Sequence, residues 1–246
     1  MKDGIYKVAA ATPHVRLGDP AANAKEIVRL IGRADAREVR LLVLPELCVT
    51  GYTAGDLFLL DGLIESSNAA LAEIAAATED KNMLVVLGAP VLACGKLYSC
   101  AVFVSRGRIL GVVPKTHLPN YAEFYELRQF APAFEGRRAL HWFGEEIPFA
   151  ADLLFACREL PEFVVGVEIC EDLWAPLPTG VKLALAGATV LVNPSASDAI
   201  AGKRDYRREL VSSQSARLAA AYVYAGAGPD ESTQDVVFAG HSLICE

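Results

Sequence analysis

The sequence predicts a layered α/β domain, with sheets inside and helices outside. Three observations carry this. Short, wholly apolar runs such as Leu41-Leu42-Val43-Leu44 suit strands buried on both faces. Segments with helical periodicity alternate with these runs along the chain. No Gly-, Ser- or Pro-rich linker and no short repeat divides the chain, so its 246 residues read as a single domain over 1–246.

The elements follow in order. Ile5 to Ala11 reads as the first strand. Asp19-Pro20 opens a helix to about Arg37, with Ile27, Leu30 and Ile31 on its apolar side. The run 41–44 is a strand halted by Pro45. Leu63 to Thr78, rich in Ala and Leu, suits a helix, and Met83 to Gly88 a buried strand. Leu97–Ser105 and Arg108–Val113 flank a tight Arg106-Gly107 turn, which predicts a hairpin. From Pro114 to Gly136, aromatics, charges and prolines mix without a period, which predicts a functional loop with a helical turn. Short strands follow, Phe163–Ile169 being the clearest, then a helix near Val181–Ala186. Thr189–Asn193 is a strand stopped by Pro194, Lys203–Ala220 a long helix, and Ala221–Ala227 and Val236–Ile244 late strands. Periodicity leaves the strand order open.

Composition narrows the function. Apolar residues make up 53% of the chain and charged ones 22%, which supports a buried core and argues against disorder. A net charge of −7 disfavours binding to nucleic acid or to an anionic membrane, since both need a basic surface. Pro13, His14 and Arg16 interrupt the apolar stretch at the N-terminus, so it does not read as a signal peptide, and no run reaches the ~18 apolar residues of a membrane span. The six cysteines show no CxxC pair and no disulfide framework, which predicts reduced thiols in a cytoplasmic setting. Clustered His and paired Cys at ligand spacing are missing, as are GxGxxG and GxxxxGK[ST], so neither a metal site nor a phosphate-cradling loop is expected. Of the four histidines, His117 stands nearest a candidate site and reads as a solvated or supporting loop residue.

Three strand ends carry chemistry. In LLVLPELCVTGY, Glu46 lies just beyond an apolar run, where desolvation makes a carboxylate a better base. In RILGVVPKTHLPNY, Lys115 follows another such run, and a fixed ammonium there can stabilise an oxyanion or lower a thiol pKa. In FVVGVEICEDLW, Cys170 ends a strand between Glu168 and Glu171-Asp172. These flanking acids would raise the thiol pKa, so a reactive Cys170 needs a base and a cation, which Glu46 and Lys115 could supply. Taken singly, each residue type is more often something ordinary: an exposed Glu, a solvated Lys, an inert buried Cys.

Taken together, PELCVTGY, PKTHLPNY and EICEDLW resemble the Glu, Lys and Cys motifs of the nitrilase superfamily, the carbon–nitrogen hydrolases, in the same order. LPNYAEFYELRQFAP and NPSASDAIAGKRDYR resemble the glutaminase domain of glutamine-dependent NAD synthetases. The resemblance spans nearly the whole chain. It implies a four-layer αββα sandwich with Glu46 as general base, Lys115 as stabiliser of the tetrahedral intermediate and Cys170 as nucleophile. It implies a second acid at Glu126, ahead of Glu123, that orients Lys115. Glutamine would meet Tyr121, Ser197 and Lys203, with Arg204 the neighbouring choice for the last. Tyr52, Phe124, Glu171 and Trp174 would line the pocket, Lys203 meeting the α-carboxylate and Glu171 the α-ammonium.

The glutaminase step needs no cofactor or metal. In that family ammonia passes to deamido-NAD at a C-terminal synthetase domain that uses ATP and Mg²⁺. This chain shows no ATP-pyrophosphatase glycine motif, and its ending at HSLICE reads as an excised domain. The resemblance also implies a homo-oligomer. Two alternatives stand beside it: a free-standing amidase of the ω-amidase or carbamoyl-amino-acid hydrolase type, and a silent interaction or oligomerisation domain.

Overall fold

The computed structural model describes residues 5–246. Five helices are named in chain order: α1 (Pro20–Asp35), α2 (Asp61–Ala76), α3 (Glu171–Trp174), α4 (Thr179–Leu185) and α5 (Lys203–Leu218). One sheet is built from β1 (Val8–Ala10), β2 (Leu41–Val43), β3 (Leu84–Ala93), β4 (Lys96–Ser105), β5 (Arg108–Pro114), β6 (Arg138–Trp142) and β7 (Glu145–Phe149), in the order β1-β2-β3-β4-β5-β7-β6. The other holds β8 (Phe155–Cys157), β9 (Leu160–Val167), β10 (Val190–Ser195), β11 (Ala221–Gly226) and β12 (Leu243–Cys245), in the order β12-β11-β10-β9-β8.

Strand alternation builds the layers. Leu41, Val43, Val86 and Phe103 face inward and meet Val165, Val167, Val192 and Val223 of the second sheet in one apolar cluster. The intervening Leu42, Val85 and Leu87 face outward, onto Ile27 and Ile31 of α1 and Leu71 and Ile74 of α2. Leu191 and Tyr222 face outward from the second sheet onto Leu183 of α4 and Val211 of α5. Because side chains alternate with period two, a strand buried on both faces must be apolar throughout, as the 41–44 run is. The result is an αββα sandwich.

Local chemistry sets the boundaries. Asp19 caps α1 by accepting from the Ala22 N–H at 3.0 Å, and Pro20 fills the first turn, where no N–H is needed. The Arg106-Gly107 hairpin forms with both residues at positive φ (50° and 77°). The Cys94-Gly95 and Phe143-Gly144 pairs make matching turns.

Several expectations are corrected. β3 continues past Gly88 to Ala93. β10 runs through Pro194 to Ser195: Pro194 turns its carbonyl to the Cys170 N–H, so its missing N–H falls on that side, past the end of β9 at Val167, and the pairing with β11 is left intact. The segment expected as strand 236–244 is extended only over Leu243–Cys245, while Val236 and Phe238 pack under Tyr52 and Ala196.

β1, β2 and β3 are mutually parallel, and β5 shares their direction because two antiparallel pairings separate it from β3. β9, β10 and β11 are also parallel. The loops that leave β2, β5, β9 and β10 carry Glu46, Lys115, Cys170 and Ser197.

Candidate active site

Glu46, Lys115, Glu126 and Cys170 lie buried together. The Lys115 ammonium donates to Glu46 Oε1 at 2.7 Å and to both oxygens of Glu126 at 2.8 and 2.9 Å. An ammonium has three protons, and all three are used. Ser99 Oγ also donates to Glu46 Oε1, at 3.1 Å, whereas Glu46 Oε2 has no partner among the described residues. The Tyr52 hydroxyl donates to Glu126 Oε1 at 2.8 Å.

Gly88 makes room for the Glu46 turn. A Cβ there would stand 2.1 Å from the Leu47 nitrogen and 2.6 Å from the Glu46 backbone. Lys115 is held by strand-like pairing: its N–H reaches the Ser99 carbonyl at 2.8 Å, and its own carbonyl accepts from Ala133 at 2.8 Å.

Cys170 sits at φ 45° and ψ −101°, immediately before α3. Along β9, Val165, Val167 and then Ile169 face the inter-sheet core. The turn at Cys170 breaks the alternation and returns its side chain to that same cluster. The acids flanking it in sequence point elsewhere. Glu168 accepts from Tyr222 and Gly180, Glu171 from Tyr121, and Asp172 from three backbone N–H groups. Burial, rather than these acids, pushes the thiol up to about 12, with Lys115 pulling it down and Glu46 pushing it up.

Burial alone would lower the Lys115 ammonium. The charges of Glu126, Glu46 and Cys170 outweigh it and hold Lys115 well above the usual lysine range. Burial raises Glu126 to about 7 against the pull of Lys115. The cluster therefore carries a fixed ammonium, a protonated thiol and a carboxylate oxygen free to accept.

Around this centre, Phe124 packs edge-on against Tyr121 and Tyr52, with ring centroids 6.2 and 6.5 Å away. The Tyr121 hydroxyl donates to Glu171 Oε1 at 3.0 Å. The Lys203 ammonium lies 5.7 Å from the Phe124 ring and 5.4 Å from the Trp174 ring, and it pairs with Asp198. Arg204 is exposed, so Lys203 is the cation turned to the site. Ser197 Oγ accepts from Arg207 at 3.0 Å. Glu123 borders a 270 Å³ cavity beside Tyr52 and Glu126 that also meets Thr233 and Val236. His117 contributes its backbone N–H to Asp172.

Sequence reasoning missed Asp198, Arg207 and Glu231. Asp198 follows Ser197 directly, and Arg207 lies one helical turn beyond Lys203, on the same face. Glu231 gave no local signal; it accepts from the Tyr52 N–H across 179 residues of chain.

The family model for carbon–nitrogen hydrolases matches residues 7–246. The chain belongs to this family. It is 44% identical over 243 residues to a glutamine-dependent NAD(+) synthetase of Mycobacterium tuberculosis, covering 99% of this chain and 36% of that protein. A Thermotoga maritima protein of the same name is 31% identical, over 98% of this chain and 38% of its own length. The chain thus spans little more than a third of the curated relatives it matches. Among solved structures, a glutamine-dependent NAD(+) synthetase from Cytophaga hutchinsonii superposes with a TM-score of 0.88 at 32% identity, over 98% of this chain and 39% of that one. An amidase from Nesterenkonia sp. shares the fold at a TM-score of 0.76 and 19% identity, over 99% and 83% of the two chains.

Proposed function

We propose that this chain is the glutaminase unit of a glutamine-dependent NAD synthetase, hydrolysing the side-chain amide of glutamine through a thioester on Cys170. One observation carries the chemistry: Glu46 offers an unpartnered buried oxygen beside Lys115, in the cluster that holds a protonated Cys170 thiol.

Glu46 takes the thiol proton as sulfur attacks the amide carbon. A thiol raised to about 12 is not a standing thiolate, so deprotonation must be coupled to attack. Lys115 turns one N–H from Glu126 to the oxyanion, and the Glu171 N–H, at the start of α3, supplies the second donor. Such a donor is worth ~10²–10³ in rate. The tetrahedral intermediate collapses, the C–N bond breaks, and Glu46 gives its proton to the departing ammonia. Glu46 then takes a proton from water as it attacks the thioester. Sulfur leaves, is reprotonated by Glu46, and glutamate is released. The step uses no cofactor or metal.

Substrate choice rests on the rim. A free amino acid presents both charges, and here the cation Lys203 lies by the Phe124 and Trp174 rings while the anion Glu171 is held by the Tyr121 hydroxyl, whose ring packs on Phe124. Lys203 meets the α-carboxylate and Glu171 the α-ammonium, with Tyr121, Ser197, Tyr52, Phe124 and Trp174 shaping the pocket. A plain amidase would need no such pair of opposite charges. The ammonia serves a synthetase partner that brings ATP and Mg²⁺, within a cytoplasmic homo-oligomer. Among the described residues, no helix is long and apolar enough to cross a membrane.

The test is to incubate the folded protein with glutamine, follow ammonia and glutamate, and look by mass spectrometry for a glutamyl adduct. We expect release, with the adduct on the Cys170 peptide, and neither in Cys170→Ala. Wild-type turnover by folded Cys170→Ala overturns the mechanism. Hydrolysis of other amides with glutamine left intact overturns the substrate.

A further inference from the structure

Cys170 holds φ 45°, a left-handed backbone that is costly for any residue with a Cβ and persists only where its surroundings enforce it. Its N–H donates to Asn193 Oδ1 at 3.2 Å and to the Pro194 carbonyl at 3.1 Å. Asn193 Nδ2 donates to the Tyr222 hydroxyl at 3.1 Å. Tyr222 donates to Glu168 Oε1 at 2.6 Å, and Glu168 Oε2 accepts the Gly180 N–H at 2.7 Å. Glu168, Asn193 and Tyr222 are all fully buried. Position 180 is shaped for the carboxylate, since a Cβ there would lie 2.8 Å from Glu168 Oε2.

The direction of this chain is determined. A tyrosine hydroxyl has one proton. Once that proton points to Glu168, only oxygen lone pairs face Asn193. The amide must then turn its NH₂ to Tyr222 and its carbonyl to Cys170. The opposite flip would set two N–H groups against each other. A buried polar chain of this kind is costly unless every member is satisfied, and an apolar trio would fill the same space without that risk.

We propose that Glu168 is a positioning residue for the reaction. Acting through Tyr222 and Asn193, it fixes the Cys170 backbone so that the sulfur faces Glu46 and Lys115 while the Glu171 N–H stays free for the oxyanion. The proposal rests on Cys170 being the nucleophile, though not on glutamine being the substrate.

Tyr222→Phe and Glu168→Gln test it in the full chain, with Tyr6→Phe, at the far end of the inter-sheet core, as the control for losing a tyrosine hydroxyl. The first readout is the rate at which iodoacetamide alkylates Cys170, followed on its peptide without substrate. The second is kcat and KM for glutamine. Tyr222→Phe and Glu168→Gln are each expected to slow alkylation and kcat about 10- to 100-fold, the scale of a misplaced reacting group, with KM changed by less than about twofold. Tyr6→Phe is expected to change neither. A folded Tyr222→Phe or Glu168→Gln protein that alkylates at the wild-type rate overturns the proposal. Because alkylation needs no amide, that arm stands even if glutamine is the wrong substrate. The Tyr222 hydroxyl proton of the unmodified protein, followed by NMR, decides the matter should both variants fail to fold: a slowly exchanging, hydrogen-bonded proton supports the relay, and one that exchanges with water as fast as an exposed hydroxyl overturns it.

Discussion

Replacing Asp172 by Asn should loosen the joint between the two halves of the site. Asp172 Oδ1 accepts from the His117 N–H at 2.7 Å and the Thr116 N–H at 3.1 Å, and Oδ2 accepts from the Ile169 N–H at 3.0 Å. One carboxylate thereby ties the loop after Lys115 to the strand end before Cys170. Asn keeps a single acceptor oxygen, and its NH₂ must confront a backbone N–H. The loss is one hydrogen bond to a charged group, about 1.5–3 kcal/mol, plus a buried unsatisfied donor, about 1–3 kcal/mol. Together these give about 2.5–6 kcal/mol, high for a single substitution. Burial pushes the Asp172 carboxyl up to about 7, so at pH 8, where the carboxyl is charged, the wild type also carries a buried-charge cost that Asn removes, and the net loss falls at the lower end of that range. Urea unfolding measures the stability, and glutamine hydrolysis below the transition measures the site. We expect kcat to fall about 100-fold, as for misplaced catalytic groups. Stability within about 1 kcal/mol of wild type, together with unchanged kcat, would refute the idea that Asp172 joins the two segments.

Glu46→Gln keeps the contact with Lys115 but cannot take a proton. It should cut kcat about 10²–10⁴-fold, and pre-steady-state ammonia release should show acylation itself slowed; normal turnover removes Glu46 as the base. Gly88→Ala drives a methyl into the Leu47 nitrogen and should cost about 3 kcal/mol by thermal melting, with turnover lost alongside; a neutral result means the Glu46 turn can shift freely. Glu231 has one oxygen unpartnered and is raised to about 8 by burial. Since its folded pKa lies above the unfolded value of 4.5, the native state binds the proton more tightly. The resulting stability is full below about pH 4.5 and is lost as pH rises through about 8, at about 1.4 kcal/mol per unit. Glu231→Gln should flatten that slope in a series of melting temperatures, and an unchanged slope assigns it to other groups.

What was legible in the sequence was whatever a short window determines. The 41–44 run, the Asp19-Pro20 start and the Lys203 start of α5 are local patterns, and each stands where its pattern placed it. The strand-end positions of Glu46, Lys115 and Cys170 were legible for the same reason, since an apolar run that stops marks where a side chain leaves the core. What failed depended on neighbours distant in sequence. Pro194 looked like a stop because a central strand needs its N–H, but the missing N–H faces the side where β9 has ended, and the pairing with β11 does not use it. Glu168 and Asp172 looked like a threat to the thiol because sequence distance stood in for spatial distance. In the fold, strand alternation sends Glu168 to the opposite side of the sheet, and Asp172 turns back onto backbone donors. The positive φ at Cys170 brings the sulfur back into the inter-sheet space, which no apolar period could encode. The acids beside Cys170 therefore act through the backbone: they hold its turn in place, while its charge environment comes from Lys115 and Glu46 on the facing sheet.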